Sequence, residues 1–226
     1  MPLDFKSEQK KYRHVREAYQ LKEKLIKSLL KKEGLDVSNF KLFLRAFKAE
    51  QKLEVWASQK SPESFILIKT YDFCQSSGIL GPKRQQGDLQ TPEGIYHIDR
   101  FNPTSSFHLS MGINYPNRAD KKLGKSNPGG DIFIHGNCVT VGCIPITDDK
   151  IKELYILCVE AKNGGQSKIT THFYPYKMTD INHKSYIDKY PENKSLWNEL
   201  KPIYQSFEKN KFVPYVKIDE NGSYKL

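Results

Sequence analysis

Asp131-Ile132-Phe133-Ile134-His135-Gly136-Asn137-Cys138-Val139-Thr140-Val141-Gly142-Cys143-Ile144-Pro145-Ile146-Thr147-Asp148 is the stretch that organises the rest of the chain. A β-type run ends on His135, a glycine-bearing turn follows, and Gly142-Cys143 stands just before a helix start signalled by Thr147 as N-cap with Asp148 and Asp149 behind it. A thiol is a weak nucleophile until ionised, and an adjacent imidazole can take its proton. A nearby helix N-terminus would lower the thiol pKa further. Gly142 allows a backbone turn in which successive N–H groups converge on an oxyanion. The plain alternative is a buried apolar thiol beside an unrelated histidine, since free Cys is among the most buried residue types. Two such residues flanking one glycine-bearing turn between a strand and a capped helix favour a nucleophile and its base.

The helix after the motif is expected over Asp148–Ala161, with Ile151, Leu154, Tyr155 and Cys158 inward and Gly164-Gly165 as its stop. Strands are expected at Phe107–Met111, Asp131–His135 and Lys168–Phe173 around it, and at Gly94–Asp99 upstream. Earlier still, Lys41–Phe47, Lys52–Ala57 and Ser64–Tyr71 read as a β-meander, with turns at Lys48-Ala49-Glu50-Gln51 and Gln59-Lys60-Ser61-Pro62. Residues 8–33 have the spacing of one amphipathic helix, closed by Gly34. Residues 76–94 are punctuated by Gly and Pro and lack the Gly-Lys-Ser/Thr ending of a phosphate loop, so a structured surface loop is expected. A last helix over Lys194–Phe207 and a strand pair across Asn221-Gly222, suited to a type I′ turn, complete the chain. The fold class is therefore mainly β with flanking helices (α+β), divided as a 1–37 helical segment, a 38–176 catalytic core and a 177–226 helical and strand extension.

The 226 residues carry a net charge of +10, which favours an anionic partner. The lysines are scattered apart from a denser N-terminal third, and no nucleic-acid-binding module is visible, so nucleic acid is not the expected partner. Four cysteines are too few for a disulfide-built scaffold, and without a CxxC pair neither a structural metal nor a cofactor is expected. Cys138 is the rival to Cys143 but lacks the preceding Gly. It is expected to be a structural thiol or a reversible partner of Cys143, with Cys74 and Cys158 in the core. His97 and His108 are placed in strands as structural or substrate-facing histidines, while His14, His172 and His183 have no chemistry around them. Lys83 and Arg84 could meet a substrate carboxylate or could be solvated loop charges, and Asp131 could steady the loop before His135 or have only a turn or strand-edge role. The N-terminus shows no signal-peptide pattern, which read literally gives a cytoplasmic chain; a mature segment of an exported protein would read the same.

The motif His135-Gly136…Thr140-Val141-Gly142-Cys143-Ile144 resembles the His-Gly…Ser/Thr-x-Gly-Cys signature of the L,D-transpeptidase (YkuD-type) catalytic domain. The short His-to-Cys spacing, Ile146-Thr147-Asp148, Leu53-Glu54-Val55-Trp56, Gly81-Pro82-Lys83, Gln86-Gly87-Asp88, Thr91-Pro92-Glu93-Gly94 and Tyr174–Asp180 resemble its YafK-like branch, over roughly residues 38–210. The resemblance implies a β-rich, sandwich-like core. It also implies Cys143 as nucleophile, His135 as general base, the Gly136 carbonyl as the group that orients the histidine, and the N–H groups of Gly142 and Cys143 as oxyanion hole. Thr140 takes the place of a motif Ser that shapes the turn at the substrate site. The implied substrates are peptidoglycan stem peptides at diaminopimelate and, in this branch, envelope proteins linked to diaminopimelate, with release slightly favoured over crosslinking. The implied location is the periplasm or cell envelope. A non-catalytic wall-binding module and an unrelated cytoplasmic cysteine hydrolase remain as the alternatives.

Overall fold

The computed structural model describes residues 4–59 and 64–226. Its centre is one mixed, curled sheet of eight strands: β1 (Phe40–Phe47), β2 (Lys52–Gln59), β3 (Ile66–Asp72), β4 (Gly94–Asn102), β5 (Ser110–Ile113), β6 (Phe133–His135), β7 (Ile144–Pro145) and β8 (Ile169–Tyr174). The order across the sheet is β3-β2-β1-β8-β4-β5-β6-β7. The first three strands form the expected antiparallel meander. The second expected turn falls on residues 60–63, outside the described residues. Strand β8 returns late in the chain and inserts between β1, to which it is parallel, and β4, to which it is antiparallel.

Among the described residues six helices flank the sheet: α1 (Phe5–Gln9), α2 (Arg13–Lys32), α3 (Arg118–Leu123), α4 (Asp148–Asn163), α5 (Asp180–Lys189) and α6 (Lys194–Asn210). Both faces of the sheet are covered, which explains why β1 is apolar nearly throughout. Leu42, Leu44 and Ala46 join the core beneath α4. On the other face Phe43 packs with Trp56 and Phe207, and Phe47 with Tyr174, Trp197 and Tyr204. Arg45, on that second face, is buried because Glu54 takes two of its N–H groups and Glu208 a third. Helix α4 is buried on nearly every side between the sheet and α1 and α2, so it is a central element and its hydrophobic face wraps right round it.

Several local expectations need correction. The N-terminal amphipathic segment is two helices: Asp4 caps α1, and extended Tyr12 restarts the chain as α2. The strand expected at Phe107–Met111 begins only at Ser110, because His108 has a left-handed φ of 70° and stands in a turn. Helix α3 was not expected, although Asn117 and Asp120 form a capping box at its start. Nor was α5, capped by Thr179. The terminal hairpin pairs Lys217–Ile218 (β9) with Tyr224–Lys225 (β10). Its turn is not type I′, since Gly222 has a positive φ but Asn221 does not. Asp219 closes it instead by accepting from the N–H groups of Asn221 and Ser223.

Candidate active site

Strand alternation decides which side chains meet. In β6, Ile134 points into the core, so Phe133 and His135 share the opposite face. The parallel β6–β7 pairing sets Ile144 opposite Ile134 and Pro145 opposite His135. One step back, this register puts Cys143 opposite Phe133, on the face that carries His135. The Cys143 sulfur lies 3.4 Å from the Phe133 nitrogen, whose N–H it can accept, and 3.6 Å from the Asp131 carbonyl oxygen. His135 holds its Nδ1 against its neighbour's Gly136 carbonyl oxygen, which leaves Nε2 as the nitrogen free to accept a proton. The Phe107 ring lies against the imidazole, tilted by 30°, with ring centroids 4.6 Å apart.

The turn between the two residues is fastened at several points. Asn137 donates its N–H to Asp148 at 2.7 Å, and Cys74 donates its N–H to the Pro145 carbonyl. The Thr140 hydroxyl donates to the Cys143 carbonyl at 2.8 Å, a turn-shaping contact. Gly136 cannot be replaced without a clash: a Cβ there would come 2.5 Å from Asp148 Oδ1 and 2.7 Å from the Phe107 carbonyl. Gly142 has a φ of 92°, and its Cβ would meet the Gln90 carbonyl at 2.8 Å. Its N–H donates to the Ser77 hydroxyl at 2.7 Å, and that hydroxyl donates onward to the Leu89 carbonyl. No acceptor for the Cys143 N–H is found among the described residues.

Burial pushes the Cys143 thiol up from its ordinary value, against the opposing Phe133 N–H. Burial holds the His135 imidazole below the usual histidine range, opposed by its bond to Gly136. Both shifts favour the uncharged form of each group, thiol and neutral imidazole. Strand β7 stands between Cys143 and the Thr147 cap of α4, and Asp148 in the first turn of α4 accepts from the Asn137 N–H.

The other singled-out residues fall as follows. Cys138 is disulfide-bonded to Cys74, so neither is a free thiol and Cys74 is not a core residue; Cys158 is fully buried, as expected. Lys83 is no solvated loop charge: it is buried, with its ammonium on Asp88 at 2.7 Å and the Gln85 carbonyl at 2.9 Å. Arg84 is partly exposed, its guanidinium 3.6 Å from Asp120. The exposed Asp131 carboxylate meets Arg100 at 3.4 Å. His14 does have company, stacking on His108 and bonding its carbonyl.

Cys143 opens on a cavity of about 260 Å³ lined also by Lys48, Phe73, Ser77, Thr91 and Tyr190. Sequence reasoning passed over Lys48, Ser77 and Tyr190. Lys48 is buried and donates to the Gly81 and Thr91 carbonyls and to Glu93, so one ion pair ties the Gly-punctuated loop to the sheet. Glu93 also accepts from the Gly81 N–H and from the Trp197 indole of α6. Glu93 lay within a quoted motif; Lys48 lay in a stretch that reads only as a turn. A second cavity of about 510 Å³ adjoins the first at Ile79 and Leu80.

A family model described as the L,D-transpeptidase catalytic domain (YkuD) matches residues 43–168. The chain is 36% identical over 185 residues to YafK of Escherichia coli strain K12, a protein that carries a provisional L,D-transpeptidase name. The match covers 81% of this chain and 72% of that protein. The YafK of Escherichia coli O157:H7 matches to the same extent. Among solved structures, the helical cell shape determining protein Pgp2 from Campylobacter jejuni aligns over 80% of this chain and 74% of its own, with 18% identity and a TM-score of 0.49. Bd1075 of Bdellovibrio bacteriovorus aligns over 76% and 64%, with 22% identity and a TM-score of 0.44.

Proposed function

Because the chain belongs to the L,D-transpeptidase family, we propose that it is a cysteine-dependent acyl-transfer enzyme that acts on peptidoglycan stem peptides at diaminopimelate and releases what is amide-linked there. The observation that carries this reading is the β6–β7 register, with Cys143 and His135 on one face and His135 Nδ1 committed to Gly136. In the first half-reaction His135 Nε2 takes the Cys143 proton as the sulfur attacks the carbonyl at diaminopimelate. The Cys143 N–H stabilises the oxyanion, whereas the Gly142 N–H is taken by the Ser77 hydroxyl. The imidazolium returns the proton to the departing amine, leaving a thioester on Cys143. Water then resolves the thioester, with His135 as base, to give the freed amine and a trimmed stem.

The Cys74–Cys138 disulfide supports placement in an oxidising compartment, in keeping with the periplasm or cell envelope, where envelope proteins linked to diaminopimelate would be the partners. No described helix is long and apolar enough to cross a membrane.

The test is mass spectrometry of two digests. Disaccharide-peptide monomers should yield little dimer, whereas a stem bearing a lysine amide-linked to diaminopimelate should free that lysine. Cys143→Ala should abolish the product and Cys138→Ala should keep most of it. Abundant dimer without freed lysine would replace release by crosslinking, and neither product would leave a wall-binding module.

A further inference from the structure

Residues 74–77 hold the stretch from Cys138 to Pro145 at three places. Cys74 is joined to Cys138 by the disulfide, the Cys74 N–H reaches the Pro145 carbonyl at 2.9 Å, and the Ser77 hydroxyl accepts the Gly142 N–H at 2.7 Å. Of the three, only the hydroxyl touches the residue directly before Cys143. The direction of its bond is fixed by what lies behind it. Ser77 spends its one proton on the Leu89 carbonyl at 2.9 Å, so towards Gly142 it can only accept. Leu89 stands at a positive φ of 61°, next to Asp88, whose carboxylate takes the Lys83 ammonium and the N–H groups of Arg84, Gln85 and Gln90. The buried Lys83–Asp88 pair thereby sets the carbonyl that aims Ser77.

Gly142 needs such a hold. Its φ of 92° lies in a region through which glycine turns freely, and the peptide that follows carries the Cys143 N–H. Rotation about Gly142 would swing that N–H away from the cavity that Ser77 and Cys143 both line. We propose that Ser77 is a positioning residue: by holding the Gly142 N–H, it keeps the Cys143 N–H aimed at the carbonyl oxygen under attack. This rests on Cys143 being the nucleophile, as proposed above. Ser77 itself moves no proton and touches no reacting atom.

Two small reagents separate this role from a merely structural one. With p-nitrophenyl acetate the Cys143 sulfur adds to the carbonyl carbon and charge passes to the carbonyl oxygen. The intermediate then collapses as p-nitrophenolate leaves with the C–O bonding pair; the thiol proton goes to His135 and an acetyl thioester remains. With iodoacetamide the S–C bond forms as the C–I bond breaks, iodide takes the electron pair, the thiol proton again goes to His135, and no oxyanion arises. Both reactions are followed by mass spectrometry of the Cys143 peptide from the full chain, with Cys143→Ala as the blank. In Ser77→Ala and Ser77→Val, acetylation should fall by about tenfold or more, since outright loss of an oxyanion donor costs roughly 10²–10³, while alkylation stays within about twofold of the wild-type rate. Ser77→Thr, which matches valine in shape but keeps the hydroxyl, should hold both rates near those of the wild-type protein. Acetylation unchanged in Ser77→Ala and Ser77→Val, the two rates falling together, or Ser77→Thr falling as far as Ser77→Val would overturn the assignment. Neither reagent is a wall peptide, so the result is independent of the release reaction. The expected split with no lysine freed from the stem would uphold Ser77 and sink release; a wild-type Cys143 that is not acetylated at all would sink both.

Discussion

A raised thiol and a lowered imidazole, both caused by burial, decide how Cys143 would have to be activated. Both shifts favour the uncharged forms, so in the proposed reaction the proton would move to His135 only as the sulfur attacks. Removal of His135 should therefore slow iodoacetamide alkylation of Cys143 near neutral pH by about a hundredfold or more, from the lower end of the range of about 10²–10⁴ typical of a general base upward. The sign of the pH dependence follows from the direction of the shift. An imidazole held below the usual histidine range stays neutral into mildly acidic solution, so the acid limb of the wild-type profile should lie below that of an ordinary histidine. In His135→Ala that limb should vanish and reactivity should rise only as the raised thiol ionises. Superimposable rate–pH curves for the two proteins would contradict this. These two residues were legible in the sequence because eight positions of one turn carry both. The Cys74–Cys138 partnership was not, since 64 positions separate the two thiols. Nor was the burial of Lys83, because a loop lysine reads as solvated until its Asp88 partner folds back on it.

Among the elements, β8 shows what local pattern cannot convey. Its strand character was readable in the β-branched and aromatic residues of Ile169–Tyr174, but its place between β1 and β4 depends on pairings more than 70 residues apart. That central place buries His172 completely, beside Tyr174 and near Arg45, and pushes its imidazole down to about 3. The unfolded chain would bind a proton at about 6.5. Stability from burying the neutral ring is therefore full above 6.5 and is lost as pH falls toward 3. Between pH 6.5 and 5 the loss is about 2 kcal/mol. Urea unfolding should show that His172→Leu loses about 2 kcal/mol less than the wild-type protein over this interval. Equal losses would mean that the ring can take up a proton in the folded state. The capped helices α3 and α5 carried readable signals in Asn117 and Thr179, but their short apolar pattern did not stand out from loop.

At the scale of the whole molecule, the C-terminal residues are part of the cleft's construction. Trp197 of α6 bonds to Glu93, Glu93 holds Lys48 and the Gly81 turn, and Tyr190 stands at the cavity on which Cys143 opens. The motif at 131–148 thus carries the proposed chemistry, while the shape of the candidate site comes from segments before and after it whose meeting no local spacing records. The proposed reaction passes through one covalent species, a thioester between Cys143 and the acyl group of diaminopimelate. Intact-mass spectrometry after rapid acid quench of the protein with the lysine-linked stem measures it directly. The expected result is an adduct equal in mass to the stem acyl group, mapped by proteolysis to the peptide containing Cys143, labile to hydroxylamine and absent in Cys143→Ala. Freed lysine with no adduct at any quench time, or the same yield of lysine from Cys143→Ala, would contradict it.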